Sequence, residues 1–288
     1  MAGAFLIFLR EGIEASMIVS ILLAYLDRLG ERDRFADVLW GVAAALILSL
    51  GLGVAAYVTV HNYAGSYFQT VFETATFLLA AAIMTYMTFW MRRHARGMSK
   101  ELRERTRSAL SGGERKGLFL LAFQAVGREG VETVVFTLAF AFSTGATAVL
   151  SGAAFGLVVA LALSVAIYRL GKRINIGLFF KVVGALLMVF AAALLADAVQ
   201  NLQQLGWVPV LDHPLWNSSA ALSDNSMLGD VAHSFLGYTA QPTPLQAVVW
   251  VAYLAIAVSA FLGLFGRLRT RPTAGGQDSR RKAEMKAS

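Results

Sequence analysis

The sequence contains no cysteine. That excludes disulfides, thiolate metal sites and cysteine nucleophiles, so any metal site must be built from oxygen or imidazole ligands. Charge is scarce too. Charged residues make up 15% of the 288 positions, against about 25% in an ordinary soluble domain. Only four histidines occur, and none falls inside a long apolar stretch. What remains is apolar: 57% of residues, with a mean hydropathy of +0.61. These residues fall in blocks that reach the roughly 20 positions a helix needs to cross a bilayer. The composition is that of an all-α, polytopic membrane protein.

Seven spans are expected: Ala4–Leu26, Ala36–Val60, Gln69–Met91, Leu118–Phe142, Ala148–Arg169, Gly177–Asp197 and Leu245–Phe265. The first is not read as a cleavable signal. It lacks a basic start, and Arg10, Glu11 and Glu14 interrupt its apolar core. Lys and Arg set the orientation. They crowd the loops after spans one, three and five and the C-terminal tail, and they are missing from the loops after spans two, four and six. The N-terminus is therefore expected outside and the C-terminus in the cytoplasm. Apart from Arg169 at the edge of span five, only Arg10, Arg128 and Lys181 lie within spans. The basic stretch Met98–Gly117 reads as a partly helical cytoplasmic hairpin, with Glu101 and Arg105 spaced to pair along a helix face. Its simplest roles are fixing topology and touching anionic lipid. No nucleic-acid partner is expected. A permease domain over residues 1–266 is followed by a basic tail, 267–288, expected to be disordered.

The chain repeats itself. Arg10-Glu11-Gly12-Ile13-Glu14 in span one matches Arg128-Glu129-Gly130-Val131-Glu132 in span four. The stretch from Gly41 to Tyr57 parallels that from Gly152 to Tyr168, and Phe72-Glu73 lines up with Phe180-Lys181. Three matches in the same order point to a three-plus-three repeat, about residues 4–91 and 118–197, with the seventh helix, 245–265, outside it. Each unit has an odd number of spans, so the second must lie upside down relative to the first. Inverted repeats of this kind hold a transport site near the midplane.

Five glutamates sit within spans: Glu11, Glu14, Glu73, Glu129 and Glu132. Each ionised side chain at the bilayer centre costs about 2.5–3.5 kcal/mol even on lenient scales. They must turn inward and find partners. Glu11 and Glu14 share a helix face, as do Glu129 and Glu132, and Arg10 and Arg128 are placed to pair with the acid four residues on. Gly12 and Gly130 are expected to let the two motif helices approach, with up to four carboxylates between them. Arg10, Arg128 and Lys181 then balance charge, leaving a formal deficit that a divalent cation would neutralise. Glu73 is open between a third ligand, a proton site and the partner of Lys181. Oxygen ligands suit hard cations and argue against copper(I). Asp197, Asp212, Asp224, Asp230 and His233, near or in an outer loop without cations, are a possible metal entrance. They are equally a solvated loop. Trp40, Trp90 and Trp250 read as interface anchors. The bland alternative for the motifs is a pair of structural ion pairs locking helices.

At these residues the chain resembles the high-affinity iron permease family, which includes oxidase-coupled fungal permeases and EfeU-type bacterial ferrous-iron permeases. That family carries two Arg-Glu-x-x-Glu motifs in the first and fourth of seven helices, here Arg10 to Glu14 and Arg128 to Glu132. The resemblance implies inward iron transport, with the motif glutamates as ligands and iron as substrate and not as a bound cofactor. It implies a bacterial inner membrane and a separate extracytoplasmic ferroxidase or iron-delivery protein. Other divalent metals, such as manganese or zinc, remain alternatives on the residues alone, as does a seven-helix receptor. A retinal protein is disfavoured because span seven has no lysine. An enzyme is not expected, since the spans lack the Glu-x-x-His pairs of di-iron bundles.

Overall fold

No proline occurs before Pro209, so nothing of that kind interrupts helix in the long apolar stretches. In hydrocarbon, a helix satisfies every backbone polar group within its own segment. The computed structural model describes residues 1–94, 98–111, 115–170, 176–224 and 226–262, and these contain no strand. Nine α-helices follow in order: α1 Ala2–Leu29, α2 Phe35–His61, α3 Tyr67–His94, α4 Met98–Ser111, α5 Arg115–Thr144, α6 Ala146–Leu170, α7 Ile176–Gln204, α8 Met227–Leu236 and α9 Pro244–Phe261. Each of the first six apolar spans lies inside one long helix, and the last begins in α9. The tail from 267 to 288 and the cations Lys172 and Arg173 lie outside the described residues.

Among the described residues, five helices are long and apolar enough to cross a membrane: α2, α3, α6, α7 and α9. Helices α1 and α5 are as long, but each carries the charged motif near its middle. Helix α4 is short and amphipathic. It buries Leu102 and Thr106, while Arg105 donates to Glu101 over 2.7 Å on the exposed face. Helix α8 was not anticipated. Ser226 caps its N-terminus by accepting from Gly229 N at 2.9 Å, and it stops at Gly237, whose φ of 67° fits a glycine. A Thr243–Gln246 capping box with Pro244 in the first turn starts α9.

Packing is by pairs. The most extensive interfaces join α1 to α6, α5 to α2, and α3 to α7. The first two match residue for residue. Gly152 of α6 lies on Met1 O and the Ala4 methyl of α1. Gly41 of α2 lies on Phe119 O and the Ala122 methyl of α5. Ala4 and Ala122 occupy the same position relative to their Arg-Glu-Gly-x-Glu motifs. Likewise Gly12 meets Ala160, and Gly130 meets Ser49.

Helices α3 and α7 run antiparallel. Trp207 Nε1 donates to Tyr67 Oη over 2.9 Å at one end, and Gly184 lies against Thr88 at the other. An apolar core containing Ile7, Phe77, Met84, Phe136, Phe190 and Leu194 ties α1, α3, α5 and α7 together. Helix α9 packs on the outside of α7, and Tyr253 Oη lies 2.6 Å from Thr85 Oγ1 of α3.

Candidate functional site

Helix geometry aims the motif carboxylates. At 3.6 residues per turn, Glu11 and Glu14 project from one face of α1, and Glu129 and Glu132 from one face of α5. Those helices pack against each other. All four glutamates are buried, from 3% exposed at Glu14 to 9% at Glu132. Acceptor atoms of Glu11, Glu14 and Glu129 lie within 4.8 Å of one another, and Glu132 is close enough to share their electrostatic neighbourhood with Arg10.

The arginines act as the spacing requires. Arg10 Nε lies 3.0 Å from Glu14 Oε1, and Arg128 Nε lies 3.0 Å from Glu132 Oε1. Arg10 also donates to Glu11 through Nη1. After these contacts, one oxygen on each glutamate is buried without a hydrogen-bond partner: Glu11 Oε2, Glu14 Oε1, Glu129 Oε2 and Glu132 Oε2. (Glu14 Oε1 is near Arg10 Nε, but the contact has ion-pair distance without hydrogen-bond geometry.) Buried acceptors are normally satisfied. Among these four residues, Glu11, Glu14 and Glu129 offer oxygens close enough together to hold one hard cation. Four glutamates against two arginines leave two formal negative charges unbalanced.

The two halves of the site differ. Arg10 is 2% exposed, whereas the Arg128 side chain is 46% exposed. Arg128 reaches towards α3, where Nη2 contacts Met87 Sδ at 3.4 Å and the guanidinium lies 5.0 Å from the centre of the Trp90 ring. Trp90 thus offers its ring as a platform for the Arg128 guanidinium. The motif glycines also behave differently from expectation. They do not separate the acids. A residue one position after Glu11 is turned by about 100° from it, so Gly12 faces Ala160 of α6 and Gly130 faces Ser49 of α2. The glycines seat α1 on α6 and α5 on α2, and the acids are left free to face one another.

The remaining expected residues are dispersed. Glu73 is half-buried near the start of α3 and accepts from Gln69 Nε2 at 2.6 Å. Lys181 is exposed near the start of α7. Because α3 and α7 are antiparallel, Glu73 and Lys181 sit near opposite ends of the pair and are not partners. Lys181 is also outside the charge balance of the cluster. The entrance set splits as well. Asp212 is exposed beside His213, and Asp224 Oδ1 accepts from Ala240 N at 2.8 Å. Asp230 lies in α8, its side chain outside the described set.

Asp197 and His233 do come together. Ser143 Oγ donates to Asp197 Oδ2 over 2.8 Å and lies 3.1 Å from His233 Nε2, while His233 Nδ1 donates to Tyr238 O over 2.8 Å. His233, counted as an outer-loop residue, is turned inward by α8. Ser143 carried no sequence signal: it ends an apolar run that gives no reason to single it out. Among the described residues, no group of three or more His, Asp or Glu other than Glu11, Glu14 and Glu129 is spaced to hold an ion.

The comparisons agree with one another. Residues 1–269 match the model described as the iron permease FTR1 family. The chain is 37% identical over 262 residues to the ferrous iron permease EfeU of Escherichia coli O6:K15:H31, covering 90% of this chain and 94% of that protein. It is 34% identical over 275 residues to the ferrous iron permease EfeU of Yersinia pestis, covering 94% and 95%. No solved structure matches.

Proposed function

We propose, for a chain that belongs to the iron permease FTR1 family, that it carries iron into the cell through the carboxylates of Glu11, Glu14, Glu129 and Glu132. The observation that carries this reading is the convergence of acceptor atoms from Glu11, Glu14 and Glu129 within 4.8 Å in a buried position. Structural ion pairs alone do not account for it. A locking pair needs one acid per arginine, and leaving further carboxylate oxygens buried without partners is costly.

The architecture proposed is seven transmembrane helices, α1, α2, α3, α5, α6, α7 and α9. The first six form two inverted repeats, N-terminus outside and C-terminus in the cytoplasm. The paired interfaces of α1 with α6 and α5 with α2 support it. Side chains lean towards the N-terminus of their own helix. In this orientation Arg10 lies on the outer side of the acids and Arg128 on the cytoplasmic side. The half-exposed Arg128 then marks the side from which the cluster is reached. An inside-negative potential favours entry by about 2.3 kcal/mol per charge per 100 mV. The arginines hold their glutamates in place and limit the net charge, so that an ion binds without being trapped.

The protein is read as a carrier and not an enzyme, with iron as its substrate and no resident cofactor. The residence proposed is a bacterial cytoplasmic membrane, with a separate extracytoplasmic ferroxidase or iron-delivery protein supplying the ion. Asp197 and His233, brought together near the outer end of α7, are the residues proposed to receive it.

The test is uptake into proteoliposomes, with iron(II) and iron(III) supplied separately and manganese and zinc as competitors. Iron uptake that falls in both Glu14→Gln and Glu129→Gln supports the site. Full uptake in both variants removes it. Manganese or zinc moving faster than either iron species would shift the substrate to that metal.

A further inference from the structure

Outside the central cluster, the cytoplasmic end of α1 carries a second constellation. Ser20, Ile21, Ala24, Tyr25 and Arg28 on α1, with Arg103 on α4, line a groove of about 150 Å³. The α1 residues share a face because Ser20, Ala24 and Arg28 follow at intervals of four. From Ser20 to Arg28 the groove runs about 12 Å along the helix, at 1.5 Å per residue. Its floor is apolar at Ile21 and Ala24. Two hydroxyls, of Ser20 and Tyr25, and two arginines, Arg28 and Arg103, complete its lining.

The arginines are the informative part. Arg32 and Arg34, at the same end of α1, have carboxylate partners in Asp27, Glu31 and Asp37. Arg105 and Lys100 on α4 pair with Glu101 and Glu104. Arg28 and Arg103 have no carboxylate partner among the described residues, although acids stand within a turn of each. Two unpaired planar forks facing one groove from two helices match the oxygens of a phosphate diester. The C-terminal end of α1 would by itself repel an anion, so binding has to rest on these side chains. A groove that combines apolar lining with two arginines fits a lipid better than a free anion: the acyl chains would lie against Ile21 and Ala24, and the phosphate would meet the arginines.

We propose that this groove is a specific site for an anionic glycerophospholipid, which clamps α4 to α1 through Arg103 and Arg28. Lipid binding would couple the orientation of the basic hairpin to the helix that carries Arg10, Glu11 and Glu14. The site does not depend on what the permease carries.

The test uses the full purified chain in mild detergent with phosphatidylglycerol or phosphatidylcholine added at equal mole fraction. Thermal unfolding and native mass spectrometry of retained lipid are the readouts. Phosphatidylglycerol raises the unfolding midpoint by a few degrees more than phosphatidylcholine, and the chain retains it preferentially. Arg28→Gln combined with Arg103→Gln cuts that increment by at least half. Ala24→Phe keeps both charges but fills the groove, and it does the same; it decides the question alone if the double variant does not fold. Arg107→Gln, an exposed charge on α4 outside the groove, leaves the increment intact. The proposal is overturned if the groove variants keep the full increment, if Arg107→Gln removes as much, or if inorganic phosphate alone reproduces the rise.

Discussion

Gly130 of α5 rests against the hydroxyl of Ser49 of α2, and the matching position of the other Arg-Glu-Gly-x-Glu motif pairs Gly12 of α1 with Ala160 of α6. A methyl group at Gly130 would overlap both Ser49 Oγ and Ser49 Cβ, so Gly130→Ala forces the motif helix away from its seat. Overpacking of this kind typically costs about 1–3 kcal/mol. Ser49→Gly removes both obstructing atoms and restores most of that loss in the double variant. A thermal or denaturant unfolding cycle over the four proteins measures this. Independent, additive effects would show that the contact does not set the helix spacing.

The acids should separate into two classes. Glu14→Gln and Glu129→Gln each lower iron uptake by roughly tenfold or more, the scale on which metal sites respond to lost partners. Glu73→Gln stays close to the parent, because Glu73 is held by Gln69 away from the cluster. Initial uptake rates at equal protein density decide this. A Glu73 variant as impaired as the other two would return it to the transport site.

Arg10 and Arg128 have equivalent sequence contexts but unequal burial, 2% against 46% exposed. Lysine keeps the charge but loses the fork. Arg10→Lys therefore impairs both expression and uptake, since the buried Arg10 is shared between Glu11 and Glu14. Arg128→Lys folds normally and impairs uptake alone. Comparing membrane yield with uptake per molecule distinguishes the two, and equal behaviour would show that the asymmetry is unimportant.

Ser143 bridges α5 to both Asp197 on α7 and His233 on α8. Ser143→Ala removes hydrogen bonds worth about 1 kcal/mol net, and amide exchange in α8 rises severalfold while the membrane helices keep their protection. Unchanged exchange in α8 would mean that α8 is held by its apolar contacts alone.

The chain has no native cysteine, so introduced pairs report without background. Thr88→Cys with Gly184→Cys cross-links readily, because those positions touch across α3 and α7. Glu73→Cys with Lys181→Cys does not, since those residues sit near opposite ends of the antiparallel pair. The reverse pattern, read by peptide mapping after mild oxidation, would overturn the register.

Much of this was legible in the chain. Long apolar blocks without proline pointed to helices, because a helix satisfies the backbone of such a segment in hydrocarbon without help from its neighbours. The intervals within Arg10–Glu14 and Arg128–Glu132 gave the ion pairs, because spacing on one helix is a local property. Of the three roles the sequence leaves open for Glu73, partnership with Lys181 is the one the structure removes, because the two sit near opposite ends of the antiparallel α3–α7 pair. Equivalent positions in antiparallel helices need not be adjacent, and sequence alignment carries no register. Helix α8 escapes a reading of spans because its ten residues lie within a long outer loop and are too few to cross a bilayer, although Leu228, Val231 and Phe235 recur at helical spacing.

By itself, then, the sequence determined which side chains share a helix face, since a helix fixes that within two turns. Only the tertiary structure decided which faces meet: the carboxylates of α1 and α5 turned towards one another, the glycines towards α6 and α2, Trp90 under Arg128, and His233 beside Asp197. Those outcomes depend on the relative placement of helices far apart in the chain, which is set by steric fit over whole interfaces and not by any local spacing.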